Sequence, residues 1–309
     1  MTAQIIDGSQ IARELKARLV LEISELNGGG PLPGLATVQV GQDYASSAYE
    51  RRVRRLAGEV GCRYDAALLP AETSDADVLA TVGRFNGDPR ISGILLLRPL
   101  GADQDESAIF RTLDPAKDIE AVHPSNAGLL ALGQPRFVPS TPASCFYLLD
   151  RYLDGLEGGK SAFYERSLIV YIGRSNNVGK PAMLLGLDRN ATVISCDEHT
   201  SKAGRLAQLT QQADVLIVAA GVPGLIGQEH VRAGAIVIDV GINPLVDPVS
   251  GRTSMVGDVR SEEVWHKASA MTPVPGGVGP VTDVWLLHNT VLAARMARET
   301  TGAAMRIAL

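Results

Sequence analysis

Leu168-Ile169-Val170-Tyr171-Ile172-Gly173-Arg174-Ser175-Asn176-Asn177-Val178-Gly179 is an apolar run that breaks into a turn bracketed by glycines, and Ala182-Met183-Leu184-Leu185 follows it. The pattern predicts a strand, a tight turn and a helix. Such a turn aims free backbone N–H groups and the positive end of the helix dipole at a phosphate. A second stretch, Pro273-Val274-Pro275-Gly276-Gly277-Val278-Gly279-Pro280, is too rich in Gly and Pro for regular structure. Its glycines let backbone approach a flat ring closely. Together the two segments point to a dinucleotide site beside a second ligand.

Outward from that turn, further strands are expected at 191–195, 214–219 and 235–240, with a helix at 182–187, as in a Rossmann-like unit. Upstream, apolar spacing predicts helices over Ile11–Leu26, Ala45–Val60 and Asp75–Asn86, and strands over Leu35–Val40, Tyr64–Leu69 and Ile94–Leu97. Alternating strands and helices imply parallel sheets with right-handed crossovers. Thr141–Leu153 reads as a helix leading out of this first unit, and Asp154–Gly159 as the boundary. The expected organisation is two α/β domains. Residues 1–150 and 280–309 form a three-layer substrate domain, and 151–279 form a Rossmann-like dinucleotide domain. The helix over Val284–Arg298 is expected to pack back onto the first domain.

The chain has 309 residues, 45% hydrophobic and 20% charged, an ordinary composition for a globular enzyme. A formal net charge of −5 argues against a general nucleic-acid binder. Cys62, Cys145 and Cys196 are scattered, with no metal-ligand spacing, so neither a disulfide framework nor a metal site is expected. No signal peptide or membrane span is legible, and a cytoplasmic location is expected.

In order along the chain stand Ile5-Ile6-Asp7-Gly8; Val40-Gly41 with Ala45-Ser46 and Tyr49; Asp114-Pro115 through Lys117-Asp118; and His123-Pro124 with Asn126 and Gly128. Thr141-Pro142, Gly173-Arg174-Ser175 with Val178-Gly179, Gly241-Ile242-Asn243, Val256-Gly257-Asp258-Val259 and the Thr272–Thr282 loop complete the series. This series resembles the methylenetetrahydrofolate dehydrogenase/cyclohydrolase (FolD-type) family over nearly the whole chain. The resemblance implies a folate cleft between two domains, NAD or NADP on the C-terminal one, tetrahydrofolate as the one-carbon carrier, and a homodimer. It implies Gly173, Arg174, Ser175, Val178, Gly179, Glu198 and Ile242 at the dinucleotide. Tyr49, Glu120, Pro275, Gly276, Gly277 and Asp283 fall at the folate.

The departures from the family are concentrated at that cleft. Its catalytic lysine, one helical turn after Tyr49, is Val53 here, and the glutamine that tunes the lysine is Leu97, followed by Arg98. Its folate-binding aspartate, in a D-x-D-G context, aligns with Glu120, and the closing loop ends in Asp283. The family performs two reactions. Hydride transfer from the methylene carbon needs positioning and little acid–base help. Hydrolysis of the methenyl product needs mobile protons, which a lysine of lowered pKa supplies and valine cannot. Hydride transfer is therefore expected to persist while cyclohydrolase activity is lost or weak. Rescue by Arg52, Arg98 or Asp283, a repurposed folate-scaffold enzyme, and a folate-binding protein without catalysis are the competing readings.

Asp197-Glu198 replaces the family's usual His-Ser after the strand at 191–195. An acid there favours a ribose 2′-hydroxyl over a 2′-phosphate, whereas Arg174 pulls the other way, and the balance favours NAD. Plainer roles are expected elsewhere. His123 reads as structural, Asp239 and Asp258 as turn or cap residues, and Cys196 as a small core residue. Arg51, Arg52, Arg54 and Arg55 are either a solvated helix face or an attractor for an acidic polyglutamate tail.

Overall fold

The computed structural model describes residues 2–26, 31–101, 104–156, 158–246 and 251–307, the last seven as backbone only. The first part of the chain runs β1 (Gln4–Ile5), α1 (Gly8–Leu26), β2 (Gly34–Val40), α2 (Tyr44–Val60), β3 (Arg63–Leu69), α3 (Asp75–Gly87), β4 (Gly93–Leu96), α4 (Glu106–Thr112) and α5 (Pro124–Ala131). Then come α6 (Ser140–Leu153), α7 (Gly159–Arg166), β5 (Leu168–Ile172), α8 (Gly179–Asp188), β6 (Thr192–Cys196), α9 (Glu198–Lys202), α10 (Leu206–Thr210) and β7 (Val215–Val218). The last part is β8 (Ile236–Asp239), β9 (Asn243–Val246), β10 (Thr253–Val256), α11 (Ser261–Val264), β11 (Ala270–Met271) and α12 (Val278–Ile307).

The chain divides into two compact units: residues 14–140 with 283–309, and residues 1–13 with 141–282. The expected boundaries at 150 and 279 are thus displaced. The first residues also belong with the dinucleotide unit, because β1 pairs in parallel with β11 at the edge of its sheet. Backbone pairing decides this, and a two-residue strand carries no periodicity to announce it.

The folate-type unit holds a parallel sheet in the order β3-β2-β4. All seven residues of β2 are buried, as expected for a strand covered on both faces. Ala36, Val38 and Val40 form one core with Val78, Val82 and Phe85 of α3 and Ile109 of α4. The register sets Leu35, Thr37 and Gln39 on the opposite face together with Tyr64 and the residue following β4, Leu97. On that face Tyr64 donates to Glu50 of α2 at 2.8 Å, so α2 is its cover. Helix α2 buries Val53, Ala57 and Val60 at helical spacing. It starts on an Asp43 cap that accepts from the Ser46 N–H and ends at Gly61 in the left-handed conformation. Asn289 of α12 donates to the Ile119 and Val138 carbonyls, 2.8 Å each, which anchors the C-terminal helix in this unit as expected.

The dinucleotide unit holds a sheet in the order β1-β11-β8-β7-β5-β6, all of its pairs parallel. Strand β5 has β6 on one side and β7 on the other, so the glycine turn leaves the sheet where the winding direction reverses. Open α/β sheets bind ligands at that point. Val170 and Ile172 of β5, Leu216 and Val218 of β7 and Val237 of β8 lie in one core, as the apolar runs imply. The boundary stretch is followed by a helix not read from the sequence, α7, which docks by its buried Tyr164. One local expectation is corrected. Helix α12 begins at Val278, inside the stretch read as irregular, because Pro280 falls in the first turn, where no intrahelical N–H is required.

Candidate functional site

In the dinucleotide unit, Gly173 lies at φ +112°, and a Cβ on it would stand 2.1 Å from the Ala219 carbonyl oxygen. A Cβ on Gly179 would stand 2.1 Å from the Gly173 carbonyl oxygen. Both glycines are therefore demanded by the close approach of turn, strand and helix. The Val178 N–H donates to Ser175 Oγ at 3.1 Å, which sets the entry into α8. A turn that admits no side chain at Gly173 or Gly179 offers backbone alone, which fits the cradle a dinucleotide phosphate would need.

Arg174 lies across the end of β6. Its Nε donates to Ser195 Oγ at 2.8 Å, and its guanidinium reaches Asp197 Oδ2 at 2.9 Å. The other Asp197 oxygen caps α9 by accepting from the Thr200 N–H at 2.9 Å. The Thr200 N–H, and more weakly Arg174, hold the Asp197 carboxyl below the usual carboxylate range. Glu198, expected at the cofactor, pairs with Lys202 one turn on and is largely exposed. Asp197 is the acid that meets Arg174.

The loop at Pro275, Gly276 and Gly277 is held by the Asp7-Gly8-Ser9 turn. The Ser9 N–H donates to the Gly276 carbonyl at 2.9 Å, and a Cβ on Gly8 would sit 1.8 Å from the Gly277 carbonyl oxygen. Ile242 is 53% exposed and lies 3.4 Å from where a Gly279 Cβ would be. Beneath these loops Asp258 accepts from the Ala220 and Gly221 N–H groups and from Asn243 Nδ2. Asp239 accepts from the Gly241, Asp258 and Val259 N–H groups, and burial pushes its carboxyl up to about 7. Both acids are the turn residues expected. Asn243 as the partner of Asp258 is legible in the sequence only as a motif member.

In the folate-type unit, Tyr49 of α2 is half-buried, with the Arg52 guanidinium 4.9 Å from its ring centroid. Arg52 binds Asp283 in a two-point ion pair, Nε to Oδ2 at 2.6 Å and NH2 to Oδ1 at 3.1 Å. Burial raises the Asp283 carboxyl, and Arg52 opposes it. Burial, then Asp283 and Glu120, push the Tyr49 hydroxyl well above the usual phenol range. Asp283 is thus engaged by Arg52, and Arg98 turns to Glu106.

Val53 and Leu97, which the resemblance aligns with the family's lysine and glutamine, are buried aliphatic side chains, 0% and 3% exposed. An amide stands at the Leu97 level one strand away. Gln39 is 3% exposed and donates to Ser47 Oγ at 2.8 Å and to the Gly41 carbonyl at 3.1 Å. Only the sheet register reveals that neighbour.

Glu120 accepts from the Ser140 N–H at 3.1 Å and from Ser140 Oγ at 2.9 Å. Burial pushes its carboxyl up to about 7, although the Ser140 donors pull it down. The turn that presents it is built on Asp118, which accepts from the Val122 and His123 N–H groups and from Asn126 Nδ2. Ala121, where the resemblance places glycine, sits at φ +51°, a conformation unfavourable for a residue with a Cβ. His123 caps α5 by accepting from the Ser125 N–H, the structural role expected. Among the described residues no group of His, Cys, Asp and Glu is arranged to hold a metal, and no helix is long and apolar enough to cross a membrane.

Comparison with known proteins agrees with this geometry. Residues 6–120 match the tetrahydrofolate dehydrogenase/cyclohydrolase catalytic domain, and residues 139–298 match the NAD(P)-binding domain of the same family. The bifunctional protein FolD 3 of Rubrobacter xylanophilus is 62% identical over 96% of this chain and 93% of its own length. The crystal structure of the bifunctional FolD of Campylobacter jejuni superposes with a TM-score of 0.88 at 35% identity, covering 96% of this chain and 99% of that one. The Trypanosoma brucei enzyme, solved with NADP and an inhibitor, gives 0.89 at 32% identity with the same coverage. The chain belongs to the tetrahydrofolate dehydrogenase/cyclohydrolase family.

Proposed function

We propose that this protein transfers a hydride from methylenetetrahydrofolate to NAD in preference to NADP, and that its cyclohydrolase activity is lost or weak. The observation that carries the reading is the aliphatic pair Val53 and Leu97 at the positions where the family keeps its proton-moving machinery. A bound nicotinamide supplies the acceptor for the hydride and its electron pair. As the pair leaves, the folate nitrogens on either side of the methylene carbon share the positive charge, and no side-chain proton moves. Tyr49 and Glu120 would orient the folate. The Gly173–Gly179 turn would hold the phosphates, and the Gly276–Gly277 loop would let backbone approach the reacting rings. Arg174, neutralised by Asp197, loses the free charge that a 2′-phosphate requires.

A second reading is a bifunctional enzyme, favoured by the name of the 62% identical relative and by the Glu120 carboxyl, which titrates near neutrality. The experiment follows reduced cofactor and methenyl product together, with NAD and then with NADP. Methenyl product that decays no faster than in buffer supports the dehydrogenase alone. Enzyme-dependent decay supports the bifunctional enzyme. In keeping with the family resemblance, we take the working form to be a cytoplasmic homodimer. The exposed Leu245, Val246 and Met255 of the β9–β10 hairpin suit a contact between subunits.

A further inference from the structure

The guanidinium of Arg52 is held more rigidly than a surface charge needs to be. Its Nε and NH2 are occupied by a carboxylate 231 residues away in sequence, and its plane lies against the Tyr49 ring. The Asp283 side chain is 11% exposed, whereas that of Arg52 is 46% exposed. The buried partner therefore fixes the inner edge of the fork and leaves the outer edge open. Arg52 NH1 carries no hydrogen bond among the described residues.

We propose that Arg52, preset by Asp283, is the receptor for a glutamyl carboxylate of the folate tail. The inference rests on the reading that Tyr49 lies against the folate.

Three features favour a carboxylate. The planar fork of arginine presents parallel N–H donors that match the two oxygens of a carboxylate. Arg55, three residues on along α2, adds a second positive charge that acts on the same Asp283 carboxylate. Arg54 and Arg55 differ from Arg52 in kind. Arg54 is consumed by the buried Glu50, with its NH2 2.6 Å from Oε1. Arg55 is 74% exposed and 3.6 Å from Glu59, so it adds long-range attraction and no fixed geometry. Of the two sequence readings of the basic run, a solvated face describes Arg55 and a tail receptor describes Arg52.

The plain alternative is a staple, in which the ion pair only ties α2 to α12. The test separates the two by ligand. Binding of tetrahydrofolate and of tetrahydropteroate, which lacks the glutamyl group, is measured directly for wild type, R52Q, R52K and D283N. KM and kcat are then measured with the corresponding methylene substrates. The receptor predicts that R52Q weakens tetrahydrofolate roughly 10-fold, the scale of one partly exposed charge-assisted contact, while the tetrahydropteroate affinities of R52Q and wild type coincide. R52K does not restore the loss, D283N shows a smaller one, and added salt narrows the gap. Equal weakening of both ligands by R52Q, or full rescue by R52K, overturns the receptor. If R52Q does not fold, D283N carries the same ligand comparison. A wild-type protein that binds neither ligand overturns the folate reading itself and this inference with it, whereas wild type that binds both equally overturns this inference alone.

Discussion

Arg174 and Asp197 face one another at 2.9 Å across the end of β6, and the proposed choice of cofactor turns on this pair. The carboxylate also caps α9, so its position is set by the helix rather than by the arginine. Replacing Asp197 by serine should free the guanidinium and move the kcat/KM ratio towards NADP by about tenfold or more. Glu198→Ser should leave the ratio nearly unchanged, since that side chain pairs with Lys202. Steady-state kinetics with both cofactors decide it, and an unaltered ratio in Asp197→Ser removes Asp197 from cofactor choice.

Val53 offers the sharpest test of the proposed loss of hydrolysis. The Val53→Lys, Leu97→Gln double variant installs the residue pair that the resemblance implies and should raise methenyl hydrolysis above the buffer rate, on the order of 10²-fold if the lysine is correctly placed. Burying an ammonium in a site that excludes solvent should at the same time lower the melting temperature. Absorbance of the methenyl product gives the rate. Hydrolysis already as fast in the unmodified protein would assign the chemistry to another group.

Glu120 should make folate binding depend on pH. Its folded-state carboxyl is pushed up to about 7 from an ordinary 4.5, so it is protonated below neutrality and loses an acceptor for the pterin edge. Folate affinity should rise as pH rises through about 7, and Glu120→Gln should flatten the profile. Stability runs the opposite way. A raised carboxyl pKa contributes stability that is complete below about 4.5 and is lost as pH approaches 7. Because Asp239 is shifted similarly, the diagnostic quantity is the difference between wild type and Glu120→Gln in denaturant melts. A pH-independent difference would refute the shift.

Helix α7 is held by a cluster that should matter to stability alone. Tyr164 of α7 donates to Asp150 at 2.7 Å, and Arg189 donates to the other oxygen at 3.0 Å while lying 4.4 Å from the Phe146 ring centroid. Tyr164→Phe should cost about 1 kcal/mol and Asp150→Ala about 1–3 kcal/mol, the latter because it leaves a buried hydroxyl without its acceptor. Thermal melts should show this ordering, with cofactor KM unchanged in both variants.

How much of this was legible in the chain depends on the range of the interaction. The strand at 168–172, the glycine turn and the helices over 45–60 and 75–86 follow from local periodicity and from glycines that admit no Cβ. The edge strand at Gln4–Ile5, the hairpin of β9 and β10 and the helix over 159–166 were missed. Their stability comes from pairing and docking, and none has an amphipathic repeat long enough to be read.

The order of motifs was enough to determine the family and the two-unit α/β plan, since each is a matter of which residue stands where. Tertiary structure alone decided what the new charges do. It made Asp283, a candidate for rescue, the partner of Arg52, paired Arg174 with Asp197 and Glu198 with Lys202, and set Gln39 beside Leu97 on the sheet. The physical reason is that ion pairs and cross-strand neighbours depend on distances between side chains that sequence separation does not encode.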